Sequence, residues 1–313
     1  MKTVAAVLLF LLLAGSAVSQ QIPRFNPDTL LTVKIDSAVT ITSTRLSVET
    51  FINEIIHDTS FYEAFRNMKR YNFTAENQVF SYDKRNNIQG KLYRKIRHKN
   101  TGKQKMEFLA KKNEGKMFKR NGKYQLYTVE MFDYIFMNAY NSDFTPSVSI
   151  AGKKKESNES YKDKLKTLIF SPGRPIEGVP FIAKKTQIFT ANMRQYYDYA
   201  FYSGTYLDSI PVYRFKIAVK PGLSDWTKDG LMIKELTTIF DKRNFQILGR
   251  YVDMKYDNLA FDFDVQMNIE LGYFDHNEVL LPTKVSYQGS WDIPFKRAER
   301  ASFLVLHKDY KKN

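Results

Sequence analysis

FDFDVQMNIE, residues 261–270, alternates strictly between apolar and polar side chains. The apolar set is Phe261, Phe263, Val265, Met267 and Ile269, and the polar set is Asp262, Asp264, Gln266, Asn268 and Glu270. Successive side chains of a strand point to opposite faces, so this stretch predicts a strand with one buried and one solvated face. Such a strand is typical of an antiparallel sheet, because strands of parallel sheets are buried on both faces.

The same two-residue period recurs along most of the chain. YRFKIAVK, residues 213–220, places Tyr213, Phe215, Ile217 and Val219 on the face opposite Arg214, Lys216 and Lys220. Further strands are predicted at 71–82, 88–98, 104–111, 115–120, 123–130, 197–206, 231–240, 245–256, 279–288 and 300–310. Asn121-Gly122 predicts a hairpin turn, because both residues tolerate a positive φ.

Residues 47–70 have a helical period instead. Ser47 is a suitable N-cap for one helix, and Ser60 with Glu63 has the spacing of a capping box for another. Residues 131–140 and 155–170 are also predicted to be helical. These elements predict an α+β, mainly β fold: a curved antiparallel sheet, or half-barrel, with a few helices packed on its concave face.

The start of the chain has the pattern of a secretory signal peptide. Lys2 precedes an apolar run over residues 4–13, which is too short to span a bilayer, and small residues follow. We therefore expect export to the periplasm, with secretion as the alternative, and no transmembrane segment in the mature chain. The predicted organisation is a signal peptide at 1–19, an N-terminal extension at 20–44, and a single half-barrel domain at 45–313 with a helical and Pro/Gly-rich insertion at about 131–185.

The sequence offers little for catalysis. It has no cysteine, which excludes thiol catalysis and thiolate metal sites. None of its four histidines stands at a metal-binding spacing from another His or a carboxylate, and no Gly-x-Ser-x-Gly elbow occurs. We predict no enzyme activity, no catalytic residue, no metal and no cofactor, and keep a hydrolase only as a residual alternative. The net charge of +15 is compatible with binding of acidic glycans or anionic lipid headgroups, or with a solvated Lys-rich surface that binds nothing. Export argues against nucleic acid as a partner.

Several stretches carry a resemblance to known families. TIFDKRNFQIL, residues 238–248, resembles a strand–turn–strand hairpin of the outer-membrane lipoprotein carrier superfamily, with Asp241 opening the turn. FYEAFRNM at 61–68, NGKY at 121–124, FSPG at 170–173 and FKRAER at 295–300 are similar to a family of uncharacterised exported proteins from Gram-negative bacteria. The resemblance implies a half-barrel wrapped around helices and, by analogy, binding of an apolar ligand.

Two binding functions follow as hypotheses. In the first, the protein binds a lipid, acyl chain or lipoprotein in a concavity lined by Tyr213, Phe215, Ile217, Val219, Phe261, Phe263, Val265 and Met267. In the second, it is an envelope scaffold or a protein that binds other envelope proteins, with a filled core and no ligand. A large apolar cavity would favour the first. A filled concavity with an exposed apolar patch or an open edge strand would favour the second.

Overall fold

The fold is a single open sheet with helices on one face. A computed structural model describes residues 33–38, 46–140, 161–175, 185–257, 262–274, 279–292 and 298–312. All neighbouring strands are antiparallel, and the sheet is not closed into a barrel. This confirms the predicted fold class. The predicted signal peptide lies outside the described residues.

Eleven strands form the sheet, in the spatial order β1-β5-β6-β7-β8-β9-β10-β11-β2-β3-β4. Their bounds are β1 Val33–Ala38, β2 Asn72–Tyr82, β3 Ile88–Asn100, β4 Gln104–Gly115, β5 Tyr197–Tyr206, β6 Ile210–Val219, β7 Ile233–Asp241, β8 Ile247–Tyr256, β9 Asp262–Phe274, β10 Val279–Asp292 and β11 Glu299–Lys311. Most pairs are hairpins of consecutive strands. The pairing of β11 with β2 joins the two halves of the chain into one sheet.

The helices are short. Their bounds are α1 Val48–His57, α2 Ser60–Met68, α3 Tyr127–Phe132, continued by a π-helical turn at Asp133–Met137, α4 Tyr161–Phe170, α5 Ala191–Arg194 and α6 Asp225–Gly230. The predicted break within residues 47–70 is confirmed, since α1 and α2 are separate helices. Of the helix predicted at 155–170, the residues before Tyr161 lie outside the described part of the chain.

The caps of α1 and α2 differ in how well the sequence predicts them. The Ser47 hydroxyl accepts a hydrogen bond from the Thr50 amide at 3.2 Å, as predicted. The capping box at Ser60 is wrong, because Asp58 caps α2 instead. Its carboxylate accepts from the amides of Ser60 and Phe61 at 3.2 and 3.1 Å. A carboxylate also interacts more favourably with the positive end of a helix than a hydroxyl does.

The strand predicted at 123–130 is wrong over its second half, where α3 begins. The Glu299 carboxylate on β11 accepts from the amides of Tyr127 and Thr128 at 2.8 Å each, and from the Thr128 hydroxyl at 2.6 Å. These contacts satisfy free N–H groups at the start of α3. The strand predicted at 115–120 is reduced to a single bridge between Phe118 and Tyr124 around the Asn121-Gly122 turn, in which Gly122 has φ +78°.

Helices α1 to α4 pack on one side of the sheet, the helix-covered face. Phe51 of α1 stacks on Phe215 of β6 with ring centroids 4.9 Å apart, and Phe132 of α3 lies 4.8 Å from Phe303 of β11. Phe170 of α4 meets Phe65 of α2 at 5.2 Å. These rings are buried, so the core is an aromatic layer between helices and sheet.

The side of the sheet away from helices α1 to α4, here called the opposite face, is not solvated as predicted. We expected Gln266, Asn268 and Glu270 on a solvated face, but they are at most 3% exposed. Arg214, expected on the solvated face of β6, is buried too. Two of these side chains donate hydrogen bonds within the buried layer: Gln266 to the Tyr251 hydroxyl at 2.9 Å, and Asn268 to Glu270 at 2.8 Å. Asp262 is exposed as expected.

Candidate functional site

The predicted lining residues fall into two groups on the helix-covered face. The β6 group lies under α1, where the Phe51 ring is 5.7 Å from Tyr213 and 4.9 Å from Phe215. Phe51 also meets Phe201, Phe240 and Phe245, with centroids at 5.2, 5.4 and 5.9 Å. Ile217 is fully buried, and Val219 is partly buried. Helix α1 therefore fills the space over β6.

The β9 group lies three strands further along the sheet. Phe263 stacks on Trp291 with centroids 5.2 Å apart, and Val265 and Met267 are buried. Phe261 lies outside the described residues. Strands β7 and β8 separate the two groups. The predicted lining is thus two parts of one packed layer, each covered by its own neighbours.

Arg250 of β8 ties the sheet to two helices. Its guanidinium lies 4.4 Å from the centroid of the Phe61 ring on α2 and donates to the carbonyl of Phe170, at the end of α4, at 3.1 Å. Burial lowers the pKa of Arg250 to about 10. The favourable position of a cation at a helix carboxyl end and over an aromatic face explains how this buried charge is tolerated.

A polar cluster lies beneath the π-helical turn. Arg94 of β3 forms a close ion pair with Asp133 and donates to the Tyr124 hydroxyl at 3.0 Å. Burial, followed by the Asp133 charge, raises the pKa of Tyr124. Asn77, which faces Arg94 across β2 and β3, is fully buried, and among the described residues its amide has no hydrogen-bond partner. π-Helical turns often occur at functional sites.

Two histidines extend this cluster along the same face. The His98 ring stacks on the Phe73 ring with centroids 4.3 Å apart, and the His307 ring meets the same Phe73 ring edge-on at 5.7 Å. Burial, together with Arg94, lowers the pKa of His98 to about 4. Burial, together with His98, lowers the pKa of His307 to about 3. Both imidazoles are therefore neutral at neutral pH and act as aromatic core side chains.

The remaining candidate is a basic surface that sequence reasoning missed. Residues 84–123, here called the basic end, contain 15 Lys and Arg and two Glu, a net charge of +13, whereas the whole chain carries +15. They comprise β3, β4 and the turns and hairpin that flank them. In the sequence these charges occur singly or in pairs, and pairing of β3 with β4 brings many of them close together in space. A local charge count over forty residues is the signal that would have found it.

The two acidic residues of the basic end are already paired. Glu107 contacts Lys99 at 2.9 Å and Arg97 at 3.7 Å, and Glu114 contacts Lys91 at 3.8 Å. The hydrogen bond from Lys99 lowers the pKa of Glu107. All the Lys side chains of β4 and of the hairpin after it are exposed. Acidic residues outside the segment pair with two more of its basic residues, Asp133 with the buried Arg94 and Glu76 with Lys95, and the basic end keeps a large positive charge.

Strand β4 also ends the sheet. Among the described strands it pairs only with β3, and nearly all of its residues are exposed. Phe108 is 52% and Leu109 38% exposed. The register shifts between Lys95 and Ile96, which makes Leu109 the extra residue of a bulge. The edge thus combines exposed lysines with two exposed apolar side chains.

Comparisons with known proteins give no family. No protein-family model matches the chain, and no curated protein matches it. Among solved structures it is similar to a DUF1329 family protein from Desulfovibrio piger, at 11% identity and a TM-score of 0.22, over 80% of this chain and 91% of that one. A TM-score this low supports no inference about function, and the resemblance to lipoprotein carriers stays a prediction.

The residues that the structure describes lack two features, a membrane-spanning helix and a cluster of metal ligands. None of their helices combines the length and apolar character needed to cross a membrane. Within the same ranges, no group of three or more His, Asp or Glu side chains is arranged to hold a metal ion.

Proposed function

We propose that this protein is a non-enzymatic binding protein of the cell envelope, and that the basic end of its sheet is the surface that binds an anionic partner. The observation that carries the proposal is the concentration of +13 of the net charge of +15 in residues 84–123. The proposal shares with the second function considered from the sequence, an envelope scaffold or partner-binding protein, a filled core without a ligand, and it adds the basic end as the proposed binding surface.

The packing of the helix-covered face supports this function over the carriage of a lipid. Phe51 occupies the space over β6 and contacts five aromatic rings. An apolar ligand bound beside Tyr213 and Phe215 would need α1 to leave the sheet. A surface ligand needs no such movement, so the folded state described above is already competent to bind one.

The basic side chains of β3 and β4 lie close enough together to act on the same ligand. Adjacent strands lie about 4.8 Å apart, which is shorter than the Debye length of about 8 Å at physiological salt. Basic side chains on β3 and β4 therefore add to a common potential that salt screens only in part. Such a surface raises the association rate and the affinity for a partner of opposite charge.

The arrangement of the edge favours binding by side chains over strand addition. Lysines on an edge strand and a bulge within it are devices that discourage pairing with another strand. β4 has both, with Lys105, Lys111 and Lys112 along its length and the bulge at Leu109. We therefore expect charge recognition to dominate.

The test is a charge reversal with a matched control. The variant Lys112→Glu/Lys119→Glu/Lys123→Glu lowers the charge of the basic end by six. Its control, with the same change in net charge, is Lys220→Glu/Lys255→Glu/Lys311→Glu, whose residues lie outside the basic end. Binding of each full-length mature protein is measured to phosphatidylglycerol vesicles, to heparin and to polyglutamate.

We expect the wild type and the control to bind at least one anionic probe, and the basic-end variant to bind it much more weakly. At about 1 kcal/mol for each Lys near an anionic surface, three lysines correspond to about 3 kcal/mol, or a loss of about 150-fold. Binding should fall steeply at about 0.5 M salt, where the Debye length is about 4 Å. Equal binding by the variant and the control, or no binding by the wild type at low salt, would contradict the proposal.

A further inference from the structure

The apolar side chains of the basic end suggest which anionic partner it binds. Phe108 and Leu109 are two of the six exposed large hydrophobic residues among the described residues, and they are adjacent on β4. Leu109 projects from the bulge at the open edge of the sheet. A soluble polyanion offers no apolar surface on which an exposed leucine can be buried. A lipid bilayer does, because its hydrocarbon layer lies just below the charged headgroups.

Lys111 lies between aromatic rings on this edge. Its ammonium group is 5.9 Å from the centroid of Phe108 and 5.6 Å from that of Phe118. Phe118 in turn stacks on Tyr124 with centroids 4.9 Å apart. Cationic heads set among apolar side chains match the boundary between headgroups and acyl chains, where a lysine reaches the phosphates while its neighbours contact hydrocarbon.

Trp226 of α6 shows that exposure of an apolar ring alone does not define a membrane-docking surface. Trp226 of α6 is 89% exposed, and tryptophan is the residue that favours membrane interfaces most. Its helix, however, carries Asp225 and Asp229 with a single Lys228. An anionic bilayer repels that local charge, so exposure of an apolar ring alone does not identify the docking surface. The basic end has both the exposed apolar groups and the complementary charge.

Resting on the function proposed above, we infer that the anionic partner is a lipid bilayer, and that β4 docks on it with Phe108 and Leu109 entering the headgroup layer. The lysines of β4 and of the hairpin at 116–123 contact the lipid phosphates. The sheet edge then meets the membrane, while the helix-covered face and its aromatic core stay intact.

The experiment compares an apolar variant with a matched control. Phe108→Ser/Leu109→Ser removes the two apolar side chains and keeps every charge, and Trp226→Ser removes the most exposed apolar ring elsewhere. Co-sedimentation of the full mature protein is measured with vesicles of phosphatidylcholine alone and with vesicles containing about 30% phosphatidylglycerol. Binding to soluble polyglutamate is measured in parallel, and melting temperatures report whether each variant is folded.

We expect binding to the mixed vesicles and not to phosphatidylcholine alone. The double variant should lose about tenfold or more in vesicle binding, because it buries less apolar surface, and keep its binding to polyglutamate. Trp226→Ser should bind vesicles like the wild type. Polyglutamate binding without vesicle binding, or vesicle binding insensitive to the double variant, would overturn this inference and leave the proposed function standing. No binding to any anionic probe would overturn both.

Discussion

The substitution Phe51→Ala tests whether the helix-covered face is as full in solution as the structure describes. Phe51 is fully buried, and five ring centroids lie within 5.9 Å of its own. Truncating a buried Phe costs about 3–5 kcal/mol through lost burial and the cavity left behind, and favourable ring pairs place this site in the upper half of that range. We therefore expect a loss of about 4 kcal/mol in the free energy of unfolding, or about 10 °C in Tm.

The assay is urea unfolding followed by circular dichroism, with Trp226→Ala as the control. An exposed side chain should change the free energy of unfolding by no more than about 0.5 kcal/mol. A cost below about 1 kcal/mol for Phe51→Ala would refute the reasoning, because substitutions in a tightly packed core rarely cost so little. Helix α1 would then lie loosely on the sheet, and binding of an apolar ligand over β6 would become the better proposal.

Three further predictions concern polar groups that are buried or half-buried. The pKa values of about 4 for His98 and about 3 for His307 in the folded protein lie below the value of 6.5 for an unperturbed histidine. Between these values the unfolded chain binds more protons than the folded one. The free energy of unfolding therefore decreases as the pH falls from about 6.5 towards 4. His98→Phe should reduce this acid loss in thermal melts across that range; an unchanged pH dependence would exclude His98 as its source. Glu299→Gln should lower the free energy of unfolding by about 1–2 kcal/mol, since it weakens the hydrogen bonds that begin α3; an effect under about 0.3 kcal/mol would contradict that cap. Asp241→Ala should cost about 2–3 kcal/mol in urea unfolding, because the buried carboxylate accepts hydrogen bonds from Arg243; a neutral result would mean that this turn does not depend on Asp241.

The strands could be predicted because their information is local. Alternation at Tyr213, Phe215 and Ile217 predicts both the strand β6 and its buried face. Asp241 opens the turn between β7 and β8, as the sequence suggested. The cap of α1 is equally local, since Ser47 and Thr50 are three residues apart. In each case the residues that decide the structure are neighbours in the chain.

Apart from the capping box at Ser60, where the neighbouring Asp58 caps α2, the wrong predictions depend on residues that are distant in sequence. Helix α3 begins where Glu299, 171 residues beyond Thr128, supplies its carboxylate. Gln266 and Asn268 read as solvated, because a period of two identifies the two faces of a strand but not what each face contacts. Burial on both faces of β9 is a property of the whole fold.

The proposed binding surface was missed only in part for this reason, because a charge count over residues 84–123 would have indicated it. Lys95 and Ala110 are fifteen positions apart in the sequence, but they are partners across β3 and β4. The basic residues between positions 84 and 123 occur singly or in pairs, so no longer run of charge stands out. Pairing of β3 with β4 brings many of these side chains onto one edge of the sheet.

Hydrogen–deuterium exchange, with and without phosphatidylglycerol vesicles, shows where the protein touches a membrane, because it maps contact onto the chain without any substitution. We predict slower exchange in β4, Gln104–Gly115, and in the hairpin at 116–123. Exchange in α1 and β6 should stay unchanged, since the aromatic layer between them remains packed. Protection confined to α1 and β6, or no protection in β4, would contradict the assignment of binding to the basic end.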